Sequence, residues 1–200
     1  RDVKPDNLLI DGDGTVKVAD LGLAKIIGAG TGGITMTKMM IGTPYYCAPE
    51  QAQGEMQIDC RADIYALGAT MYHLATGYAP FADTSGVSAM IRNVTDFVPD
   101  PRERNAGLSE NFAWLLETMM AKHACARPAG WTEVLADIDR VLHGGMPLTR
   151  PPRAGGSTIL RGGRKLPARP HAVPPLARTP VSARAFRIFL AAAAICLAVL

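Results

Sequence analysis

An abrupt change in composition near residue 144 limits what this chain can fold into. Up to Thr149 the sequence has 12 Lys and Arg residues against 18 Asp and Glu residues, a net charge of −6. From Arg150 onward it has 9 basic residues and no acidic one. Residues 144–184 are rich in Pro, Arg and Gly with almost no apolar periodicity, which is typical of an extended linker. A packed core is therefore expected only in residues 1–143.

Residues 1–143 predict a mainly helical domain with one short hairpin, an α+β fold. Residues 7–10 and 15–19 read as two strands joined by an Asp-Gly turn. Three later segments carry apolar residues at helical spacing. We expect one around Ile64 that stops at Gly77, one with Ser109 as its N-cap and one that follows Thr132.

The end of the sequence predicts a membrane segment. Ile188 to Leu200 is a run of 13 residues without a charge or an amide, whereas spanning a bilayer takes about 20 apolar residues. Because the sequence stops while still apolar, we interpret residues 185–200 as the start of a transmembrane helix rather than as a short core helix.

Two other classes of function are disfavoured. The four cysteines lack the spacing of a zinc site and are expected to be reduced thiols. A basic tail of net charge +9 is also compatible with nucleic-acid binding, but here an apolar run follows it directly, and we expect no nucleic-acid partner.

Four polar residues near the start form the candidate site. Asp2, Lys4 and Asn7 lie within six residues, and Asp20 follows the predicted hairpin. Two carboxylates, an ammonium and an amide can together hold Mg²⁺ and a polyphosphate while one carboxylate orients a hydroxyl. Taken singly, each would read as a turn carboxylate or a solvated charge.

These residues carry a family resemblance. The motif RDVKPDN at residues 1–7 resembles the catalytic loop of protein kinases without its leading His. Asp20-Leu21-Gly22 stands where that family has Asp-Phe-Gly, and Ala48-Pro49-Glu50 closes the activation segment. The resemblance covers residues 1–143, the C-terminal lobe, and is greatest to bacterial transmembrane Ser/Thr protein kinases. The N-terminal lobe, with its Gly-rich loop, is missing from the sequence.

The resemblance implies a role for each site residue. Asp2 would be the catalytic base and Lys4 would neutralise the γ-phosphate of ATP. Asn7 and Asp20 would be the ligands of Mg²⁺, for which Mn²⁺ is the alternative ion. Leu21 in place of Phe leaves these ligands intact.

Substrate class and regulation are implied in the same way. Lys4 and the Gly-Thr-Pro that contains Thr43 are typical of kinases that phosphorylate protein Ser and Thr, and Thr43 would position the substrate by bonding toward Asp2 and Lys4. Thr35 and Thr37 resemble paired activation-loop phosphothreonines, the alternative being two unmodified loop threonines.

Two supporting roles come from the same resemblance. Asp63 matches a buried helix acid that holds the backbone of the catalytic loop. Arg127 matches the arginine that forms a buried ion pair with Glu50 and fixes the exit of the activation segment. Both roles are structural.

We expect the whole protein to be a single-pass kinase of the plasma or bacterial inner membrane, with its kinase domain in the cytoplasm. Arginines such as Arg178, Arg184 and Arg187 favour a cytoplasmic linker. A homodimer for trans-autophosphorylation is compatible with this arrangement. We expect these 200 residues alone to be inactive, because they contain neither the Gly-rich loop nor its partner lysine. The alternative is a pseudokinase that acts as a membrane-tethered docking module.

Overall fold

The computed structural model describes residues 3–13, 15–19 and 44–149, and the backbone of 159–160. Four short strands and five α-helices lie within these ranges. The strands are β1 (Leu8–Ile10), β2 (Val16–Val18), β3 (Val98–Pro99) and β4 (Ile159–Leu160). The helices are α1 (Pro49–Ala52), α2 (Cys60–Thr76), α3 (Gly86–Thr95), α4 (Glu110–Met119) and α5 (Trp131–Leu142). The predicted α+β class, mainly helical with a hairpin, is confirmed.

The predicted hairpin is present. β1 and β2 pair antiparallel, with Leu8 opposite Val18 and Ile10 opposite Val16. The carboxylate of Asp11 fixes the turn, because it accepts hydrogen bonds from the backbone N–H groups of Asp13 at 3.2 Å and Thr15 at 2.8 Å. Such local bonding to the backbone is what makes Asp a turn residue.

Helix α2 forms the centre of the core. It begins at an Asp59 cap that accepts from the N–H of Arg61, and it ends at Gly77, whose φ of 80° is the left-handed conformation that favours glycine. Its largest side chains are at most 1% exposed: Ile64, Tyr65, Leu67, Met71 and Tyr72. The helix contacts α4, the 3₁₀ turns of residues 5–7 and 44–46, and the turn of 101–103.

Close packing of α4 against α2 depends on one glycine. A Cβ atom at Gly68 would lie 2.9 Å from Met120 Cγ and 3.0 Å from Met119 Cβ, closer than real side chains approach. Glycine at this position therefore lets the two helices meet.

The starts of α4 and α5 differ in how well they were predicted. The hydroxyl of Ser109 accepts from the N–H of Phe112 at 3.1 Å, as expected of an N-cap. Helix α5 begins at Trp131, capped by Gly130, so the expected start after Thr132 is wrong. The carboxylate of Glu133 accepts from the N–H of Ala129 at 2.8 Å, which ties the first turn of the helix to the residue before its cap.

The predicted linker begins in contact with the lobe. Asn111 donates to the carbonyl of Gly144 at 3.0 Å, and Arg140 donates to that of Met146 at 2.9 Å. Farther along, β4 pairs in parallel with β3. Within the described ranges no helix is both long and apolar enough to cross a bilayer, and the predicted membrane segment, residues 185–200, lies outside those ranges.

A buried ion pair joins three parts of the lobe. Arg127 and Glu50 are 4% and 6% exposed, and their two side chains meet in a bidentate pair at 2.6 and 2.7 Å. Arg127 also donates to the carbonyls of Arg61, Ala121 and Lys122. The predicted pairing of Arg127 with Glu50 is confirmed.

Removing one partner of this pair should be costly. We expect Arg127→Met to lower the free energy of unfolding by about 3–5 kcal/mol, because Glu50 would be left charged and buried. The matched control is Arg61→Met, whose bond to Asp59 is more exposed and screened by solvent, so its loss should cost far less. Urea denaturation measures both.

A double variant tests the physical cause. Arg127→Met with Glu50→Leu removes both charges and should be less destabilised than Arg127→Met alone. Equal losses in the single and double variants would contradict an uncompensated charge as the cause.

Candidate active site

The predicted catalytic loop is anchored on the central helix. Val3, which directly follows Asp2 in the sequence, is 3% exposed. Its carbonyl lies 3.4 Å from the hydroxyl of Thr70 on α2, which also donates to Ala66 O at 2.8 Å. Asp63 lies seven residues before Thr70, on the same face of α2, and is partly buried. Its predicted bond to the loop backbone stays a prediction.

Lys4 precedes a single 3₁₀ turn, and Asn7 is its last residue. Lys4 is extended, with φ −157° and ψ 162°, and Pro5 then opens the turn with the φ that proline favours. The N–H of Asn7 closes the turn on the Lys4 carbonyl at 3.1 Å. Asn7 is buried, Lys4 is half-buried, and Asp6 between them is exposed.

A backbone bond ties this turn to the end of the hairpin. The N–H of Ala19 donates to the carbonyl of Asn7 at 2.7 Å, which extends the β1–β2 pairing by one step. Ala19 is the residue directly before Asp20 in the sequence. The hairpin therefore connects the two parts of the candidate site through its backbone.

A buried tyrosine–histidine pair was not found from the sequence. Tyr46, in the turn after Thr43, lies with its hydroxyl 2.6 Å from Nδ1 of His73 on α2. Burial lowers the pKa of His73 to about 4, an effect that the negative charge of Asp6 opposes. The histidine is therefore neutral at pH 7 and shares one hydrogen bond with the Tyr46 hydroxyl through Nδ1. Among the described residues, its Nε2 has no hydrogen-bond partner.

A second buried side-chain amide, after that of Asn7, also holds the segment that contains Tyr46. Nδ2 of Asn93 on α3 lies 3.2, 3.4 and 3.2 Å from the carbonyls of Pro44, Tyr45 and Cys47. Its Oδ1 accepts from the hydroxyl of Tyr65 at 3.0 Å. Asn93 is fully buried, and it satisfies backbone groups of an irregular segment that forms no sheet ladder.

Lys122 completes the support behind Asn93. Its Nζ donates to the backbone carbonyl of Asn93 at 2.7 Å and lies 5.4 Å from the centre of the Phe81 ring. Burial lowers the pKa of Lys122 to about 7. The C-terminal turn of α3 is therefore tied to the loop after α4.

The comparison with known families decides what this arrangement is. The family model for the protein kinase domain matches residues 1–137. The chain belongs to the protein kinase family. The turn of Lys4 and Asn7 and residues 44–50 both lie within the matched range.

The curated relatives are bacterial Ser/Thr kinases. The serine/threonine-protein kinase PknB of Mycobacterium tuberculosis is 38% identical over 151 residues, which cover 76% of this chain and 24% of the relative. A probable serine/threonine-protein kinase PknB of Corynebacterium glutamicum is 39% identical, covering 70% of this chain and 22% of the relative. The DNA damage-responsive serine/threonine-protein kinase RqkA of Deinococcus radiodurans is 40% identical, covering 64% and 19%. The chain spans about a quarter or less of the length of these relatives.

Several predicted site residues lie outside the described ranges. These are Asp2, Asp20, Thr35, Thr37 and Thr43. Among the described residues there is no cluster of three or more His, Cys, Asp or Glu side chains that could hold a metal. Both candidate carboxylates are outside that search, so the Mg²⁺ site stays a prediction.

The buried histidine should make the fold sensitive to acid. Between pH 6.5 and about 4 the unfolded chain binds a proton at residue 73, whereas the folded chain does not. The free energy of unfolding should therefore fall as the pH is lowered through this window, by about 3 kcal/mol in all. Urea unfolding at pH 7, 6, 5 and 4.5 measures the slope.

The variant His73→Gln keeps an acceptor for Tyr46 and removes the titrating group. It should flatten the pH dependence, although its stability at pH 7 falls somewhat. His143→Gln, at an exposed histidine, is the matched control. The assignment to His73 is wrong if both variants keep the slope of the unmodified chain.

Proposed function

We propose that this chain is part of a serine/threonine protein kinase, which transfers the γ-phosphoryl group of ATP to Ser and Thr hydroxyls of proteins. The observation that carries the proposal is the 2.7 Å bond from the Ala19 N–H to the Asn7 carbonyl. It ties the turn of Lys4 and Asn7 to the residue before Asp20. The names of the relatives, all serine/threonine kinases, support the same reaction.

The residue types present suit ATP and Mg²⁺. Asn7 offers a neutral amide oxygen from a buried, hydrogen-bonded turn, and Asp20 would add a carboxylate; both are hard oxygen ligands of the kind that Mg²⁺ binds. Lys4 carries a positive charge suited to a phosphate oxygen. Bound ATP supplies the phosphoryl group.

Asp2 does the proton chemistry in this proposal. Its carboxylate would accept the hydrogen bond of the substrate hydroxyl, orient the oxygen for attack and take up the proton. Lys4 would hold positive charge where negative charge builds up in the transition state. A loose phosphoryl transfer needs such positioning and charge compensation more than covalent help, so a rigid loop matters. The anchoring of Val3 on α2 supports that rigidity.

A polypeptide limited to these 200 residues should not carry out the transfer. The sequence contains no Gly-rich loop to cover the phosphates and no accompanying lysine and glutamate pair. We therefore expect activity from a longer protein that contains these residues.

Replacing the proposed base should abolish activity. In the product of the complete reading frame, we expect Asp2→Asn to reduce autophosphorylation by about 10²- to 10⁴-fold, because the hydroxyl loses its proton acceptor. Transfer of radiolabelled phosphate from ATP with Mg²⁺ measures the loss. Asp13→Asn, an exposed acid in the hairpin turn, is the matched control and should keep full activity.

Mapping the labelled sites tests regulation in the same experiment. Label on Thr35 or Thr37 that disappears in Asp2→Asn is the result expected if loop phosphorylation switches the enzyme, by adding charge-assisted bonds to Arg1. Thr43, proposed to position the substrate, should stay unlabelled. If the unmodified protein takes up no label with Mg²⁺ or Mn²⁺, the reaction is overturned in favour of a pseudokinase docking module.

The same proposal places the kinase at a membrane. Support comes from the apolar run after Ile188 and from the arginines that precede it. The complete product should sediment with membranes and resist alkaline extraction. Leu190→Arg with Leu197→Arg should release it, since two charges in the apolar run are costly, while Leu176→Arg in the linker should not. Equal behaviour of the two variants would count against this membrane segment.

A further inference from the structure

The chain after the last helix is attached to the lobe at successive points. The buried carboxylate of Asp137 on α5 accepts from the N–H groups of Leu148 and Thr149. Together with the bonds to Gly144 and Met146, this holds residues 144–149 against α4 and α5. Residues 144–149 are therefore held on the lobe, although their composition is already that of an extended segment.

Farther along the linker, residues 159 and 160 pair with the lobe as a strand. β4 runs parallel to β3, with Ile159 opposite Val98 and Leu160 opposite Pro99. Among the described residues, β4 is the only strand that pairs with β3. Proline in β3 is typical of an edge strand, because it offers no N–H to a ladder.

β3 is joined to elements of the lobe at both of its ends. Val98 is fully buried, and β3 follows α3 after two residues. Asp100 then caps the turn of residues 101–103, which contacts α2 and α4. A preformed edge of this kind can accept an extended segment at a low cost in chain entropy.

The sequence around β4 indicates that this segment is the one that pairs with the edge of β3. The run Ser157 to Arg161 contains a β-favouring Thr-Ile-Leu core between two Gly-Gly pairs, and the flanking linker is basic while residues 1–149 carry a net charge of −6. The exposed Phe97 lies beside the edge and offers apolar surface to such a core. Nine residues separate Leu160 from Arg150, which is ample chain to reach the edge and keeps the local concentration of the segment high.

We propose that Val98–Pro99 is a strand-addition site for the chain's own linker, occupied in cis by Ile159–Leu160. The contact lies two residues from α3, whose Asn93 holds residues 44–47. Docking of the linker thus braces the helix that supports the end of the activation segment. The contact stands independently of phosphoryl transfer.

Hydrogen exchange on the full chain tests the contact. Replacing Ile159 and Leu160 with proline removes the donors of β4 and should speed exchange of the amide of residue 97, 98 or 100 that is bonded to it, by at least about fivefold. Leu166→Pro, the same change outside the strand, is the matched control and should leave these amides unchanged. No difference between the two variants overturns the proposal.

A cross-link gives a second, independent reading. Paired strands lie about 4.8 Å apart, within the range that a disulfide spans, so Pro99→Cys with Leu160→Cys should oxidise to a disulfide in the folded chain. Pro99→Cys with Leu166→Cys should give at most about a tenth of that yield, because the docked register favours residue 160. Cys47, Cys60 and Cys125 are free thiols. Peptide mapping distinguishes the engineered disulfide from any disulfide that these thiols form. Equal yields from the two pairs overturn the proposal even if exchange changes.

Discussion

The buried guanidinium of Arg127 is the interaction on which the rest of the lobe depends. All five of its N–H donors have acceptors: both carboxylate oxygens of Glu50 and the carbonyls of Arg61, Ala121 and Lys122. The Tyr65 ring lies 5.0 Å away and adds a cation–π contact. A buried charge is tolerated when all its hydrogen bonds are made, and here those bonds fix Glu50, the start of α2 and the loop after α4 relative to one another.

Hydrogen bonds from buried side chains also hold the two irregular segments of the site. Neither the loop from Val3 to Asn7 nor the segment from Pro44 to Cys47 can satisfy its backbone groups through a helix or a full sheet, so side chains from helices serve instead. Thr70 on α2 reaches the carbonyl of Val3, and Asn93 on α3 reaches carbonyls of the second segment. His73, three residues after Thr70, adds a bond to the side-chain hydroxyl of Tyr46. One buried helix therefore contacts both the predicted catalytic loop and the segment that contains Tyr46.

The sequence predicts the parts of this fold that rest on local patterns. The hairpin follows from its Asp-Gly turn, and α2 and α4 follow from their apolar stripes and from Gly77 and Ser109. Helix α3 is harder to predict, because its fully buried residues are only an alanine and Asn93, so the buried face carries little apolar signal. The pairing of Tyr46 with His73 spans 27 residues and has no local signature. Arg127 and Glu50 are 77 residues apart, and only the family resemblance brought them together.

The linker pairs with β3 although its composition is that of an extended segment. A basic, Pro-rich and Gly-rich chain buries too little apolar surface to fold alone, and a two-residue strand is far below the size that is stable in water. Bonds to Asp137 hold the start of the linker on the lobe, so β4 loses less entropy on reaching β3 than a free segment would. The pairing of β4 with β3 therefore depends on the lobe to which the start of the linker is already attached.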